Sequence, residues 1–214
     1  MCIHFTPTRN NTWVKQRLGV DLPTSNFPEE TYPGYAAPLV LKSHQTGRVA
    51  CGLAKFGLIP GWAKDEKISR HTYNARSESV AVKSSYRFAW RQRRYGIVLL
   101  DHFFEPNYVT GKAQRWRIAL ASREPFGIAS IWDTWTNPAT GELVTSFSML
   151  TVNADHHPVM NQFHKPGDEK RTPVILSPDQ YEAWLSADTP NAAAMMNWHH
   201  MPALQSHENS QKHM

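Results

Sequence analysis

The chain has 214 residues, 41% hydrophobic and 19% charged, with a formal net charge of +5 at pH 7. Such a length suits a single sheet-rich domain. The composition excludes a disordered or collagen-like chain, and no apolar run approaches the ~20 residues of a membrane span or the pattern of a signal peptide.

In chain order, Asn11 is placed to cap a short helix from Thr12 to Leu18, closed by Gly19. Residues 32–38 (YPGYAAP) are turn-rich. Pro38 to Lys42 and Arg48 to Leu53 form two strands around Thr46 and Gly47. Gly57 to Arg70 carries Pro-Gly punctuation and is expected as a loop, and a helix is predicted from Ser79 to Gln92. Tyr95 to Leu100, Arg115 to Leu120, Phe126 to Trp132 and Ser146 to Val152 then read as strands. Asn137 to Gly141 is the turn before the last of them. Ser177-Pro178-Asp179-Gln180 is a capping box opening a helix to Leu185. Residues 1–198 are expected as one antiparallel α+β domain, and 199–214 as a polar, disordered tail.

Two cysteines, Cys2 and Cys51, do not make a disulfide framework, so the expected compartment is the cytoplasm. Cys51 reads as a buried strand residue. Cys2 follows the initiator methionine directly. Once Met1 is removed, it presents an amine and a thiol on adjacent carbons. That pair condenses with an aldehyde, first as a Schiff base and then as a five-membered thiazolidine ring. With reference pKa values of about 8 and about 8.5, both groups have reactive fractions near neutrality. A plainer reading makes Cys2 a small residue opening a strand.

Other residue types fit such chemistry. Asn74 can donate a hydrogen bond to a sugar or to the terminus, and Arg76 can fork onto a phosphate. Glu105 ends an apolar strand among aromatics, where burial raises a carboxyl's pKa toward proton transfer at neutral pH. His164 is a side chain suited to moving protons near pH 7. Each also has a plainer reading, as a helix cap, a strand-end ion pair and a loop histidine. Lys83, Arg87, Arg91 and Arg94 recur at helical spacing as one basic stripe, a solvated face or a phosphate track. Trp62 can stack on a base or anchor its loop.

These features resemble the SRAP (SOS response-associated peptidase) family, whose members protect abasic sites in single-stranded DNA. The resemblance is carried by Cys2, by YPGYAAP at 32–38, FGLIPGW at 56–62 and YNARSES at 73–79, and by FFEP at 103–106 and FHKPGDEKRTPVILS at 163–177. It implies a barrel-like, mainly antiparallel β fold with a few flanking helices, acting as a monomer without metal or cofactor. It implies a covalent crosslink to abasic single-stranded DNA, with autoproteolytic loss of Met1. It places the nucleophile at Cys2, a positioning residue at Asn74, and acid–base groups at Glu105 and His164. DNA contacts fall on His4, Trp62, Arg76, Arg87, Arg91 and Arg171. His4 stands where many members have arginine, Trp62 is followed by Ala63 rather than a second Trp, and a longer loop, Lys165 to Lys170, precedes Arg171.

Alternatives are a stand-alone cysteine peptidase using Cys2, His164 and Glu105, and a non-covalent single-strand-binding module. A metal site at His156-His157 or His199-His200 is disfavoured, because adjacent histidines chelate one ion poorly and no Cys/His spacing fits zinc.

Overall fold

The segment Tyr95–Leu100 has no polar face, and it lies in the strand at the centre of the molecule. The computed structural model describes residues 2–43 and 45–209. Met1 and the last five residues of the expected tail therefore lie outside the described part. The elements are β1 (His4–Pro7), α1 (Asn11–Leu18), β2 (Ala36–Lys42), β3 (Val49–Phe56) and a 3₁₀ turn at Glu66–His71, then β4 (Asn74–Arg76), α2 (Arg87–Arg91), β5 (Tyr95–Asn107) and β6 (Gln114–Leu120). They continue with β7 (Phe126–Thr136), β8 (Leu143–Asn153), β9 (Arg171–Pro173), β10 (Ile175–Leu176), α3 (Tyr181–Ser186), α4 (Thr189–Met195) and β11 (Leu204–Glu208).

Neighbouring strands run β7-β8-β3-β2-β5, and β5 pairs again with β7, so these five close into a barrel. All pairings are antiparallel except those of β3 and β4 with β8. The first half of β5 is wall on both sides: Val98 faces Leu39 of β2 and Ile128 of β7 in register. Val98, Leu39 and Ile128 belong to one apolar cluster, with Phe5, Phe56, Phe103 and Phe147. Their strand neighbours Ile97, Val40 and Ala129 belong to another, with Trp13, Trp90 and Trp184 from the helices. Alternate side chains point to opposite faces, so the first cluster fills the barrel and the second seals its outside under the helices. Burial on both faces is why this strand reads as an unbroken apolar run. Beyond Leu100, β5 leaves the barrel and pairs with β1 and β6, carrying Glu105 with it.

The α+β expectation holds, with three local corrections. The cap of α1 is Asn10, whose side chain accepts from the Trp13 N–H at 3.0 Å; Asn11 instead accepts from the Leu22 N–H. The helix expected over Ser79–Gln92 is confined to Arg87–Arg91. Before it the chain makes separate turns, because buried Val80 and Tyr86 must both face the core, and the Tyr86 hydroxyl donates to the Asn74 carbonyl at 3.0 Å. Finally, the segment expected as a tail contributes β11. It pairs with β6 from Leu204↔Leu120 to Glu208↔Trp116. One apolar residue, Leu204, suffices because the ladder supplies backbone partners. Among the described residues, no helix is long and apolar enough to cross a membrane.

Candidate active site

Cys2 precedes β1, which lies along the outer half of β5 with His4 opposite Phe104. This register brings the N-terminal segment beside Glu105. Cys2 is fully buried, with its sulfur 3.8 Å from the His4 carbonyl. Asn74 arrives from β4, held by its ladder with Met149 of β8. Its Nδ2 donates to the Cys2 carbonyl at 2.6 Å, so a residue 72 positions away fixes the backbone of the reactive residue.

Glu105 is 1% exposed. Burial pushes its carboxyl above the usual range, and the adjacent His164 partly offsets this. His164 Nδ1 lies 3.3 Å from Glu105 Oε2. Its Nε2 lies 2.9 Å from the Arg171 carbonyl, an acceptor, so Nε2 carries a hydrogen. Nδ1 then faces the carboxyl, within reach of a proton passing between the two groups. The His164 backbone is left-handed, at φ 66°, an uncommon conformation for a non-glycine residue. It is held there by its N–H to the Pro106 carbonyl at 3.0 Å and by the bridge of Phe163 to Asn107. Burial, and after it the charge of Glu105, hold the Cys2 thiol well above the ordinary thiol range. The same two influences raise Tyr73, the first residue of the YNARSES segment, directly before Asn74.

Cys2, Asn74, Glu105 and His164 thus come together. The expected DNA contacts are more dispersed. Trp62 is 59% exposed, on a loop pinned from beneath by the Ile59 N–H to Ser146 Oγ and by Trp135 Nε1 to the Ala63 carbonyl. A Cβ on Gly57, at φ 108°, would stand 2.1 Å from the Ser69 carbonyl oxygen, so glycine is required where this loop begins. The Trp62 ring N–H donates to the Ser84 carbonyl. Arg87 and Arg91 are exposed on α2, one turn apart, and Lys83 lies in the preceding turns. Arg94 leaves the stripe and pairs with Asp133. Arg76 is exposed, with Glu169 at 3.0 Å.

Two of the expected contacts are interior. Arg171 is 1% exposed, its guanidinium forked onto Glu78 at 2.5 and 2.8 Å and bound to Glu169 and the Thr151 carbonyl. It is a buttress under the His164 acceptor rather than a surface cation. His4 is buried between the rings of Tyr32 and Phe104, with centroids at 4.0 and 4.5 Å, and its Nε2 lies 2.8 Å from Glu30. Arg115, which no local pattern marked, lies over Phe104 and binds Glu30. A cavity of about 330 Å³ opens between Ile3, Tyr32, Phe104 and Arg115, on the sheet face opposite the buried Glu105 carboxyl. No three metal-ligating side chains converge among the described residues.

A closed barrel with a buried Cys-Asn-Glu-His cluster at the end of one wall strand defines a class of single-domain α+β proteins. The model of the SOS response associated peptidase (SRAP) family matches residues 1–212, and the chain belongs to that family. It is similar to the abasic site processing protein YoqW of Bacillus subtilis (strain 168), 33% identical over 194 residues that cover 87% of this chain and 80% of the relative. It is also similar to the abasic site processing protein HMCES of Gallus gallus, 27% identical, covering 66% of this chain and 47% of the relative. A crystal structure of a protein from Bordetella bronchiseptica superposes with a TM-score of 0.86 at 29% identity, covering 97% of this chain and 99% of that one.

Proposed function

We propose that this protein processes abasic sites in single-stranded DNA by forming a covalent thiazolidine through the amine and thiol of Cys2, after Met1 is removed, and so shields the lesion. Its setting would be the cytoplasm, and Met1 removal would be autoproteolytic. The observation that carries the reading is the meeting of Cys2 and Asn74, at 2.6 Å, with the Glu105–His164 pair in one buried cluster.

The chemistry follows from the electrostatics. A buried, neutral thiol is a poor first nucleophile, so the α-amine attacks the C1 aldehyde of the ring-opened sugar. The carbinolamine loses water to an iminium, with Glu105 in its acid form supplying the proton to the departing hydroxyl. The sulfur then adds to the iminium carbon, and its proton passes to the Glu105 carboxylate. One C–N and one C–S bond form, the C=O bond is lost, and one water is released. Asn74 holds the Cys2 carbonyl, so both nucleophiles address one carbon without a search, which converts ring closure to an intramolecular step. A proton passing between His164 and Glu105 supports ring opening and, in reverse, release.

The stand-alone peptidase reading is disfavoured. A catalytic cysteine needs its thiolate stabilised, and here burial and the Glu105 charge both oppose the thiolate.

The test is incubation with single-stranded DNA bearing one abasic site, followed by a denaturing gel. A shifted band is expected. It should be lost in Cys2→Ala and in a form with an unprocessable N-terminal extension. Absence of any band with the wild-type protein would overturn the reading.

A further inference from the structure

One face of the outer sheet carries a row of side chains that the chemistry above does not use. Across the register, His4 of β1 lies opposite Phe104 of β5, Phe104 opposite Arg117 of β6, and Arg117 opposite His207 of β11. In the next row Thr6 lies opposite His102, and Gln205 opposite Ala119. Residues two apart on a strand share a face, so this face is the reverse of the one bearing Phe5, Phe103 and Ile118 in the core. A cavity of about 620 Å³ opens on it, lined by Asn10, His102, Arg117, Arg123, Gln205 and His207, with Asp101 at its edge.

Its polar groups suit an anion. Arg117 and Arg123 are exposed, and among the described residues neither forms an ion pair. The Nε2 of His102 lies 3.0 Å from Thr6 Oγ1, while its buried Nδ1 has no hydrogen-bond partner among the described residues. Burial and the neighbouring Arg117 hold His102 down to about 4, so the ring is neutral at physiological pH and one of its two nitrogens carries the hydrogen. Asp101 is the one acidic group in the lining, and Arg117 acts on it directly.

The cavity also neighbours the opening beside β1. His102 and Phe104 are two residues apart on β5, as are Arg117 and Arg115 on β6, a step of about 7 Å on each strand. Phe104 and Arg115 line that second opening, with Ile3 and Tyr32 at the start of the chain.

We propose that Arg117 and Arg123, with His102 and His207, form a second phosphate track that binds the backbone of the single strand flanking the lesion, on the face opposite the barrel core. This rests on the reading that single-stranded DNA is the substrate. Arginine is a forked donor to phosphate oxygens, and contacts to the backbone carry no sequence preference, so the track tolerates any sequence.

The test measures affinity for an undamaged single-stranded oligonucleotide by fluorescence anisotropy across a potassium chloride series. Alongside it runs the crosslinking yield on an abasic trinucleotide. Arg117→Ala/Arg123→Ala should weaken oligonucleotide binding about tenfold and reduce the salt slope by roughly 0.7 for each phosphate left without its arginine. The trinucleotide yield should stay at the wild-type level, because so short a strand does not reach the cavity. Arg117→Lys/Arg123→Lys should recover most of the slope. Removing two exposed cations elsewhere, Arg48→Ala/Lys67→Ala, should leave the slope in place. An unchanged slope in the alanine pair, with wild-type crosslinking intact, overturns the track. So does equal binding of inorganic phosphate with no gain from a strand. Loss of crosslinking by the wild-type protein while the Arg117/Arg123-dependent slope persists removes the covalent reading and leaves the track standing.

Discussion

His164 Nδ1 stands 3.3 Å from Glu105 Oε2, while Nε2 of the same ring donates to the Arg171 carbonyl at 2.9 Å. One nitrogen is committed to a backbone acceptor, which orients the ring, and the other faces a carboxyl raised by burial. Glu105→Gln keeps the shape and removes that carboxyl. Crosslink formation should slow about a hundredfold, within the range of general acid–base catalysis.

The pH profile separates the two protonation events. The acid limb of the crosslinking rate should follow deprotonation of the amine. The alkaline limb should follow loss of the Glu105 proton, displaced above the ordinary carboxylate range because burial raises it. Rate measurements from acid to mildly alkaline pH should show a bell for the wild type and no alkaline fall in Glu105→Gln. A bell that persists in the variant would assign the alkaline limb to another group.

Asn74→Ala removes the donor to the Cys2 carbonyl. Leaving a buried carbonyl without its partner costs about 1–3 kcal/mol, seen as a lower denaturation midpoint. The crosslinking rate should fall by about tenfold or more, since the N-terminal residue loses its fixed position. Asn74→Asp supplies no donor and should not rescue it.

Arg171 gives a stability prediction. Burial pushes Glu78 up, yet the fork from Arg171, with help from the Glu78 backbone and Ser77, holds it at about 2. A depressed carboxyl contributes stability that is present above its unfolded pKa and lost as pH falls through the folded one. The loss should therefore develop between about 4.5, the ordinary value, and about 2. Glu78→Gln should flatten the acid limb of a stability–pH curve in that window. Because Glu78 is half exposed, the effect should be modest. A secondary slowing of crosslinking would report the shift of the Arg171 carbonyl under His164.

Trp62, Arg87 and Arg91 remain the candidates for the barrel-side DNA surface. Trp62→Ala should cost about 1–3 kcal/mol of single-strand affinity if its ring stacks on a base. Arg87→Ala/Arg91→Ala should lower the salt slope by roughly 0.7 for each phosphate that these arginines neutralise. Equilibrium binding at several salt concentrations checks both.

What the sequence made legible was local. The turn at Thr46 and Gly47 marked β2 and β3 on either side of it, the unbroken apolar run marked the barrel half of β5, and Ser177 to Gln180 announced its helix. The barrel's closure was not legible, because it depends on β5 pairing with both β2 and β7, and on a parallel contact of β3 with β8, across distances no local pattern encodes. Cys2, Asn74, Glu105 and His164 were marked as candidates through a family resemblance, while their joining is a product of topology. Arg171 entered through the same resemblance, and its burial was not legible, because its partner Glu78 lies 93 residues away. Lys83 to Arg94 has helical spacing, yet Val80 and Tyr86 are both needed inside, which breaks the helix into turns.

The burial of Cys2 has a consequence for its life between encounters with damage. Cysteine reacts with peroxide and disulfides as the attacking thiolate, in its ionised, solvent-reached form. A sulfur kept protonated and out of water is a poor nucleophile toward either. The protein therefore carries its nucleophile in a form that resists ageing, reduced and unspent. On the proposed reaction, what engages it is an electrophile already held by the neighbouring amine, rather than any change in the redox state of its surroundings.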